Sequence, residues 1–207
     1  MNIRKGKRLL EKFINMGHTT KNIYSIVSKR SEVYRKIFMK IYDERCCYCG
    51  VSLDVIPNRN FQIDHFIHQE SDLFKGENRL SNTDPGDIRN IVLACSFCNS
   101  NKSDFQFSNN RMHIYPFHPD KNINDVFQVN NADYSIFITP KYSQNREIKA
   151  FYDKLDLGNY IHQLDCLIMH LKELWKKENN EKIKGLLGSC FVKLIYKRNQ
   201  ITDVRQI

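Results

Sequence analysis

Two pairs of cysteines with the spacing Cys-x-x-Cys constrain this 207-residue chain more than any other feature. Cys46 and Cys49 form the first pair, and Cys95 and Cys98 form the second. A two-residue spacer puts both sulfurs at one tight turn, and two such turns together supply the four thiolates that Zn²⁺ prefers. Gly50 can take the positive φ that the chain needs after the first turn. The pattern therefore predicts a structural zinc site with these four cysteines as ligands.

The alternative for the same cysteines is a pair of disulfide bonds. Disulfides need an oxidising compartment, but the N-terminus lacks the apolar segment of a secretory signal. Three further cysteines, Cys47, Cys166 and Cys190, lie outside the two pairs. Zinc is therefore the preferred interpretation, with Cys47 as the odd thiol of its turn. Cys166 and Cys190 are expected to be small buried hydrophobes in helices.

The composition predicts one compact domain with attached elements, or two small domains. No apolar run approaches the roughly 20 residues that a membrane-spanning helix requires, so we expect a soluble cytoplasmic protein with no membrane partner. The formal charge is +9, and residues 1–45 hold 12 of the 32 Lys and Arg but only four of the 23 acidic residues. Such a segment suits contact with nucleic-acid phosphates, although a solvated basic helix has the same composition.

The spacing of apolar residues divides the chain into three parts. Residues 1–45 are predicted to be a basic helical arm, whose two helices pack apolar faces inward and show Lys and Arg outward. The central part, 46–107, holds both cysteine pairs, and 108–207 is a C-terminal extension of short strands and then helices. The expected helices span 6–13, 20–42, 98–105, 146–155, 160–179 and 181–197. The expected strands lie at 61–64 and 91–94 and between 126 and 138.

Residues between and just after the cysteine pairs suit phosphodiester hydrolysis. This reaction needs a nucleophilic water, a base, and a cation that stabilises charge on the phosphate and on the leaving oxygen. Asp64 can hold Mg²⁺, and His65 can act as the base because a neutral imidazole with a pKa near about 6.5 suits neutral pH. Asn99 directly follows Cys98 and can give the cation a second oxygen ligand.

In this order, these residues resemble the HNH endonucleases of the ββα-metal type that carry four zinc-binding cysteines. The resemblance covers residues 45–104 and implies an α+β protein, with a central ββα-metal (HNH, or His-Me finger) core flanked by N- and C-terminal helices. It implies that Asp64 and Asn99 bind the catalytic Mg²⁺ or Mn²⁺ and that His65 is the general base. It also implies that Asn90 braces the loop holding His65, and that Lys102 approaches the backbone phosphate.

One residue departs from the family pattern. His68 stands where many members have Pro, three residues after the catalytic His. It is either an extra metal ligand or a loop residue, and the loop role is the preferred interpretation.

The resemblance implies a metal-dependent endonuclease that hydrolyses the phosphodiester bonds of DNA, with double-stranded DNA as the expected substrate. Basic side chains of the N-terminal arm are expected to contact the flanking phosphates. These residues are Arg4, Lys5, Lys7 and Arg8. The alternative is a zinc-ribbon adaptor for nucleic acid or protein that has lost its chemistry. The intact Asp64, His65 and Asn99 favour the enzyme.

The expected biological setting is restriction or phage defence. Small HNH proteins with extra helices resemble restriction enzymes, mobile-element nucleases and the nuclease subunits of antiphage systems such as Septu, in which an ATPase partner controls cutting. The amphipathic C-terminal helices would then dock an ATPase or another regulatory subunit. This expectation rests on analogy, because a fold alone does not fix a function.

Overall fold

The structure is a computed structural model. The residues that it describes are 2–17, 23–29, 33–57, 60–74, 84–107, 118 and 123–203. Within them the helices are α1 (Ile3–Gly17), α2 (Ile23–Val27), α3 (Val33–Ile41), α4 (Ser96–Lys102), α5 (Arg146–Lys154), α6 (Tyr160–Lys177) and α7 (Glu181–Asp203). The strands are β1 (Phe61–His65), β2 (Ile91–Cys95), β3 (Phe127–Val129) and β4 (Ile136–Ile138).

The centre of the molecule is an antiparallel pair of strands followed directly by a helix. β1 pairs with β2 so that Asp64 lies opposite Val92 and His65 lies opposite Ile91. Every residue of β2 is buried, as expected for an uninterrupted apolar run. β2 passes without a break into α4, and α4 packs against both strands. The mixture of helices with small antiparallel sheets agrees with the α+β class that the sequence predicts.

The N-terminal helices differ from the prediction. The helix expected over 6–13 is longer and spans Ile3–Gly17. The single helix expected over 20–42 is wrong for the described residues, which form the separate helices α2 and α3. α2 ends after Val27, and the Ser28 hydroxyl turns back toward the Ser25 carbonyl at 3.5 Å. Serine competes with the backbone for hydrogen bonds in this way, which favours helix ends.

Two basic side chains of these helices point inward, against the prediction that Lys and Arg face solvent. Lys7 is only 2% exposed, and its Nζ lies 5.6 Å from the ring centroid of Tyr42. Arg35 is also buried, and its Nη2 donates to the Phe61 carbonyl at 2.8 Å. Both side chains bury their long aliphatic stems, which hydrophobicity patterns count as polar.

The C-terminal elements follow the prediction closely. β3 and β4 form a second antiparallel pair, and the three helices begin at the expected residues 146, 160 and 181. α6 and α7 pack against each other, and a buried ion pair joins them, with Arg198 Nε 2.8 Å from Asp165 Oδ1. Cys166 is buried as expected, but Cys190 is exposed, because α7 packs on α6 through other positions. None of the helices in the described part of the chain is long and apolar enough to cross a membrane.

Candidate metal centre and active site

The four paired cysteines form one buried cluster. The Sγ atoms of Cys46, Cys49, Cys95 and Cys98 all lie within 4.8 Å of one another, and all four are free thiols. The Sγ atoms of Cys49 and Cys95 are 3.8 Å apart. Four sulfurs at about 2.3 Å from a tetrahedral zinc ion have edges of about 3.8 Å. The cluster can therefore hold a structural metal such as zinc, and the disulfide alternative finds no support.

Backbone hydrogen bonds shape the first cysteine turn. The Cys46 amide donates to the Val51 carbonyl at 2.8 Å, and the Gly50 amide donates to the Cys46 carbonyl at 2.9 Å. Gly50 has a φ of 77°, as the spacing predicts. The Cys47 amide donates to the Leu93 carbonyl of β2 at 2.8 Å. The first turn is thereby tied to the strand that leads into the second cysteine pair.

Burial dominates the electrostatics of the cluster. Burial raises the pKa of Cys49 and Cys98 well above the ordinary thiol value. Burial also opposes ionisation of Cys46, but hydrogen bonds from the neighbouring thiols, beginning with Cys47, hold the pKa of Cys46 well below that value. Several buried thiolates are stable only beside a compensating positive charge. Four sulfurs with no oxygen donor suit a closed, structural site.

Asp64 lies on the side of β1 that faces α4. The residue is 7% exposed; Tyr48 donates to its Oδ2 at 2.6 Å, and Lys102 Nζ lies 3.2 Å from its Oδ1. Burial raises the pKa of Asp64, and Lys102 and Tyr48 oppose this shift. Lys102 is only 1% exposed and also donates to the His65 carbonyl at 2.9 Å. The structure thus places Lys102 in an internal ion pair, where the resemblance implied a contact with phosphate.

His65 lies on the opposite side of β1, since neighbouring strand residues alternate in direction. Its imidazole is half-buried, and its ring centroid lies 4.2 Å from that of Tyr24 with an interplanar angle of 33°. Burial lowers the pKa of His65 to about 4, and the positive charge of Lys102 acts in the same direction. The imidazole is therefore neutral at pH 7, the form that can accept a proton.

Asn90 fixes the chain that follows His65. Asn90 is fully buried; its Oδ1 accepts from the Ile67 amide at 2.9 Å, and its Nδ2 donates to the carbonyls of Ile67 at 3.0 Å and Pro85 at 2.8 Å. The Phe66 amide also donates to the Asn90 carbonyl at 2.7 Å. These bonds join the segment after β1 to the segment before β2, so Asn90 limits the movement of both.

Asn99 and Lys102 occupy the face of α4 that packs on β1. They are three residues apart on the helix, and their partners Gln62 and Asp64 are two apart on the strand, so each pair shares one face. Asn99 Nδ2 donates a short hydrogen bond to Gln62 Oε1. The structure therefore brings the carboxamide of Asn99 and the carboxylate of Asp64 to the interface between β1 and α4.

The basic side chains expected to bind phosphates divide into two groups. Arg4, Lys5 and Arg8 are exposed on α1, where their charges face solvent. Lys7 is enclosed between α1 and α3, so it does not share that surface. The N-terminal arm thus offers three of the four cations that the sequence suggested.

Sequence reasoning missed several partners of the site residues. Tyr48 lies inside the first cysteine turn and could have been found from that turn. Gln62 lies two residues before Asp64 and could have been found from the alternation of β1. Tyr24 lies about 40 residues before its partner His65, and no sequence signal links the two. His68 behaves as a loop residue, because its Nδ1 accepts from the Glu70 amide at 3.2 Å.

No protein-family model matches this chain, and comparisons with curated proteins and with solved structures find no significant match.

Proposed function

We propose that the protein is a metal-dependent endonuclease with an HNH-type core in residues 45–104. The observation that carries this proposal is the placement of Asp64 and Asn99 at the interface between β1 and α4, beside a cysteine cluster at the start of α4, with His65 next to Asp64 on the other face of β1. A carboxylate and a carboxamide at one strand–helix interface suit Mg²⁺ or Mn²⁺, which prefer oxygen ligands. His65, on the other face of β1, is the proposed general base, because its neutral imidazole can accept a proton.

Each residue has a separate task in the proposed reaction. His65 accepts the proton of the attacking water at a ring nitrogen. Asp64 and Asn99 would hold the divalent cation, which supplies charge stabilisation for the phosphate and the leaving oxygen when it is bound. Lys102 and Tyr48 hold the Asp64 side chain in place, so that cation binding does not depend on a mobile carboxylate. Asn90 restricts the chain around His65.

Nicking of supercoiled plasmid with and without Mg²⁺ or Mn²⁺ tests the proposal. His65→Ala is expected to lower the cleavage rate by about 10² to 10⁴. His170→Ala is the matched control, because His170 lies exposed on α6 and has no proposed part in the reaction. Asp64→Asn is expected to remove the increase in cleavage rate that Mg²⁺ or Mn²⁺ gives to the wild-type protein. Wild-type protein that cuts nothing with either cation, or a His65→Ala variant with unchanged cleavage, would refute the proposal.

Double-stranded DNA is the proposed substrate, held through the exposed Arg4, Lys5 and Arg8 of α1. Each phosphate contact that is lost reduces the slope of log Kobs against log salt by about 1. Replacing all three with Gln is therefore expected to flatten that slope by about 3 and to weaken binding of every sequence alike. An unchanged slope would place DNA binding elsewhere on the molecule. Single-stranded DNA and RNA serve as competitors in the same measurement.

Restriction or phage defence is the proposed setting, with an ATPase or other regulatory protein on the C-terminal helices. Large apolar side chains exposed on one of these helices support a protein partner. These are Ile183, Leu186, Val192 and Tyr196 of α7. Purification from the native host tests this idea, since a regulatory subunit would remain with the wild-type protein and leave a Leu186→Glu, Val192→Glu variant. A monomeric, unaccompanied wild-type protein would speak against it.

One observation favours the second candidate, a zinc-ribbon adaptor without chemistry. The Asp64 carboxylate already has Lys102 and Tyr48 as partners, as a purely structural side chain would. If the protein is an adaptor, the His65→Ala variant binds nucleic acid or protein as tightly as the wild-type protein does. Addition of Mg²⁺ would then produce no cleavage by either. The plasmid assay and a binding assay on the same variant therefore separate the two functions.

A further inference from the structure

The ring of Tyr24 covers one face of the His65 imidazole. The two ring centroids are 4.2 Å apart and the planes are tilted by 33°. Tyr24 is itself partly buried against the apolar core, so both rings have limited room to move. Aromatic rings at this separation attract each other beyond the area that they bury.

A frame of buried groups holds Tyr24 at this position. α2 is anchored by the buried side chains of Ile23, Ile26 and Val27. Arg35 of α3 then joins the end of α2 to the start of β1, as its Nη1 lies 3.5 Å from the Ser28 carbonyl and its Nη2 lies 2.8 Å from the Phe61 carbonyl. β1 ends at His65. One guanidinium group thus fixes the helix that carries Tyr24 relative to the strand that carries His65.

The backbone around His65 is fixed independently. Lys102 donates to the His65 carbonyl at 2.9 Å, and the next amide, that of Phe66, donates to the Asn90 carbonyl at 2.7 Å. The remaining freedom of His65 lies in its side-chain torsions. A neighbouring ring against one face of the imidazole restricts those torsions to the few that keep the rings in contact.

We propose that Tyr24 is a positioning residue that holds the imidazole of His65 in one orientation. The catalytic meaning of this inference rests on the proposed endonuclease function, since a general base must lie within hydrogen-bond reach of the water that it deprotonates. A displacement of about 1 Å at such a group can cost about 10² in rate. The contact uses the ring of Tyr24, so its hydroxyl group is dispensable.

Kinetics of two variants test the catalytic part. Tyr24→Leu keeps an apolar side chain without the ring, and it is expected to lower kcat about ten- to a hundredfold with little change in KM. Tyr24→Phe keeps the ring and is expected to restore kcat. Tyr134→Leu is the matched control, because it removes the ring from another tyrosine–histidine pair, with His170 at a centroid distance of 5.6 Å. Tyr24→Leu with wild-type kcat would overturn the inference.

NMR of the histidine ring protons tests the positioning without any cleavage. In the wild-type protein the ring current of Tyr24 should shift the His65 signals. Tyr24→Phe should keep this shift and Tyr24→Leu should remove it, while Tyr134→Leu changes only the His170 signals. An unshifted His65 signal in the wild-type protein would overturn the inference, even if Tyr24→Leu fails to fold. A protein that cuts no DNA but shows the shifts would refute the proposed function and leave the positioning by Tyr24 standing.

Discussion

Replacing Lys102 with Met should destabilise the protein strongly, because it leaves the Asp64 carboxylate buried without its cation. The two charges lie 3.2 Å apart and their side chains are 1% and 8% exposed. At an effective dielectric constant of about 20, charges at this distance attract by about 5 kcal/mol. Removing one partner of a buried pair typically costs about 3–5 kcal/mol. The hydrogen bond from Tyr48 remains, so we expect about 3 kcal/mol.

This loss is measurable by thermal and urea unfolding. For a chain of this size, about 3 kcal/mol lowers the Tm by about 6–12 °C. Lys154→Met is the matched control, because Lys154 and Asp104 form an exposed pair at 3.9 Å, and such pairs contribute about 0–1 kcal/mol. Adding Asp64→Asn to Lys102→Met should recover part of the loss, because no unpaired charge is then buried.

The dependence on pH has a definite sign. Burial already raises the pKa of Asp64, and Lys102 opposes that shift, so Lys102→Met should raise the pKa further. A carboxyl group with a raised folded-state pKa costs stability as the pH rises above its unfolded value. The deficit of Lys102→Met should therefore shrink as the pH is lowered from 7 toward 4. An unchanged Tm for Lys102→Met, with a salt slope of DNA binding reduced by about 1, would instead make Lys102 a phosphate contact.

Three further predictions concern the neighbouring groups. Cys95→Ser should reduce the bound zinc below one ion per chain and lower the Tm, as measured by elemental analysis and circular dichroism; full zinc content with an unchanged Tm would contradict a structural site. Asn90→Ala leaves the Ile67 amide without its partner and should cost about 3 kcal/mol in urea unfolding, whereas a loss below about 0.5 kcal/mol would show that Asn90 braces nothing. Burial lowers the pKa of His65 in the folded protein to about 4. As the pH drops from about 6.5 to 4, His65 is therefore protonated in the unfolded chain before it is protonated in the folded one, and the free energy of unfolding falls. His65→Gln should weaken that fall in urea midpoints, and an identical pH profile would contradict the lowered pKa.

The sequence was most informative where a local pattern sets the structure. The Cys-x-x-Cys spacing predicted a four-sulfur cluster, and Gly50 has the positive φ that was expected after its turn. The apolar run before Cys95 predicted β2, and the three- and four-residue spacing predicted α5, α6 and α7. In each case the determinant lies within a few residues, so no tertiary information is needed.

Contacts between residues far apart in the chain could not be predicted from local patterns. Lys7 and Arg35 belong to an amphipathic pattern that places basic residues outward, yet Arg35 points inward and donates to the Phe61 carbonyl at the start of β1. The resemblance implied that Lys102 approaches a phosphate, and no local pattern links this lysine to a carboxylate 38 residues earlier in the chain. The contact between the rings of Tyr24 and His65 likewise depends on the placement of α2, which only tertiary packing determines.

The two cysteine turns also position the groups that surround Asp64. The first turn supplies Tyr48, which donates to Asp64. The second begins at Cys95, which ends β2 and caps α4 by accepting from the Cys98 amide at 3.4 Å. Because α4 carries both Asn99 and Lys102, a cation at the four sulfurs would hold α4 and Tyr48 in place around Asp64. Loss of that cation should therefore disturb the proposed divalent-ion site at Asp64 first, although the two sites have no ligand in common.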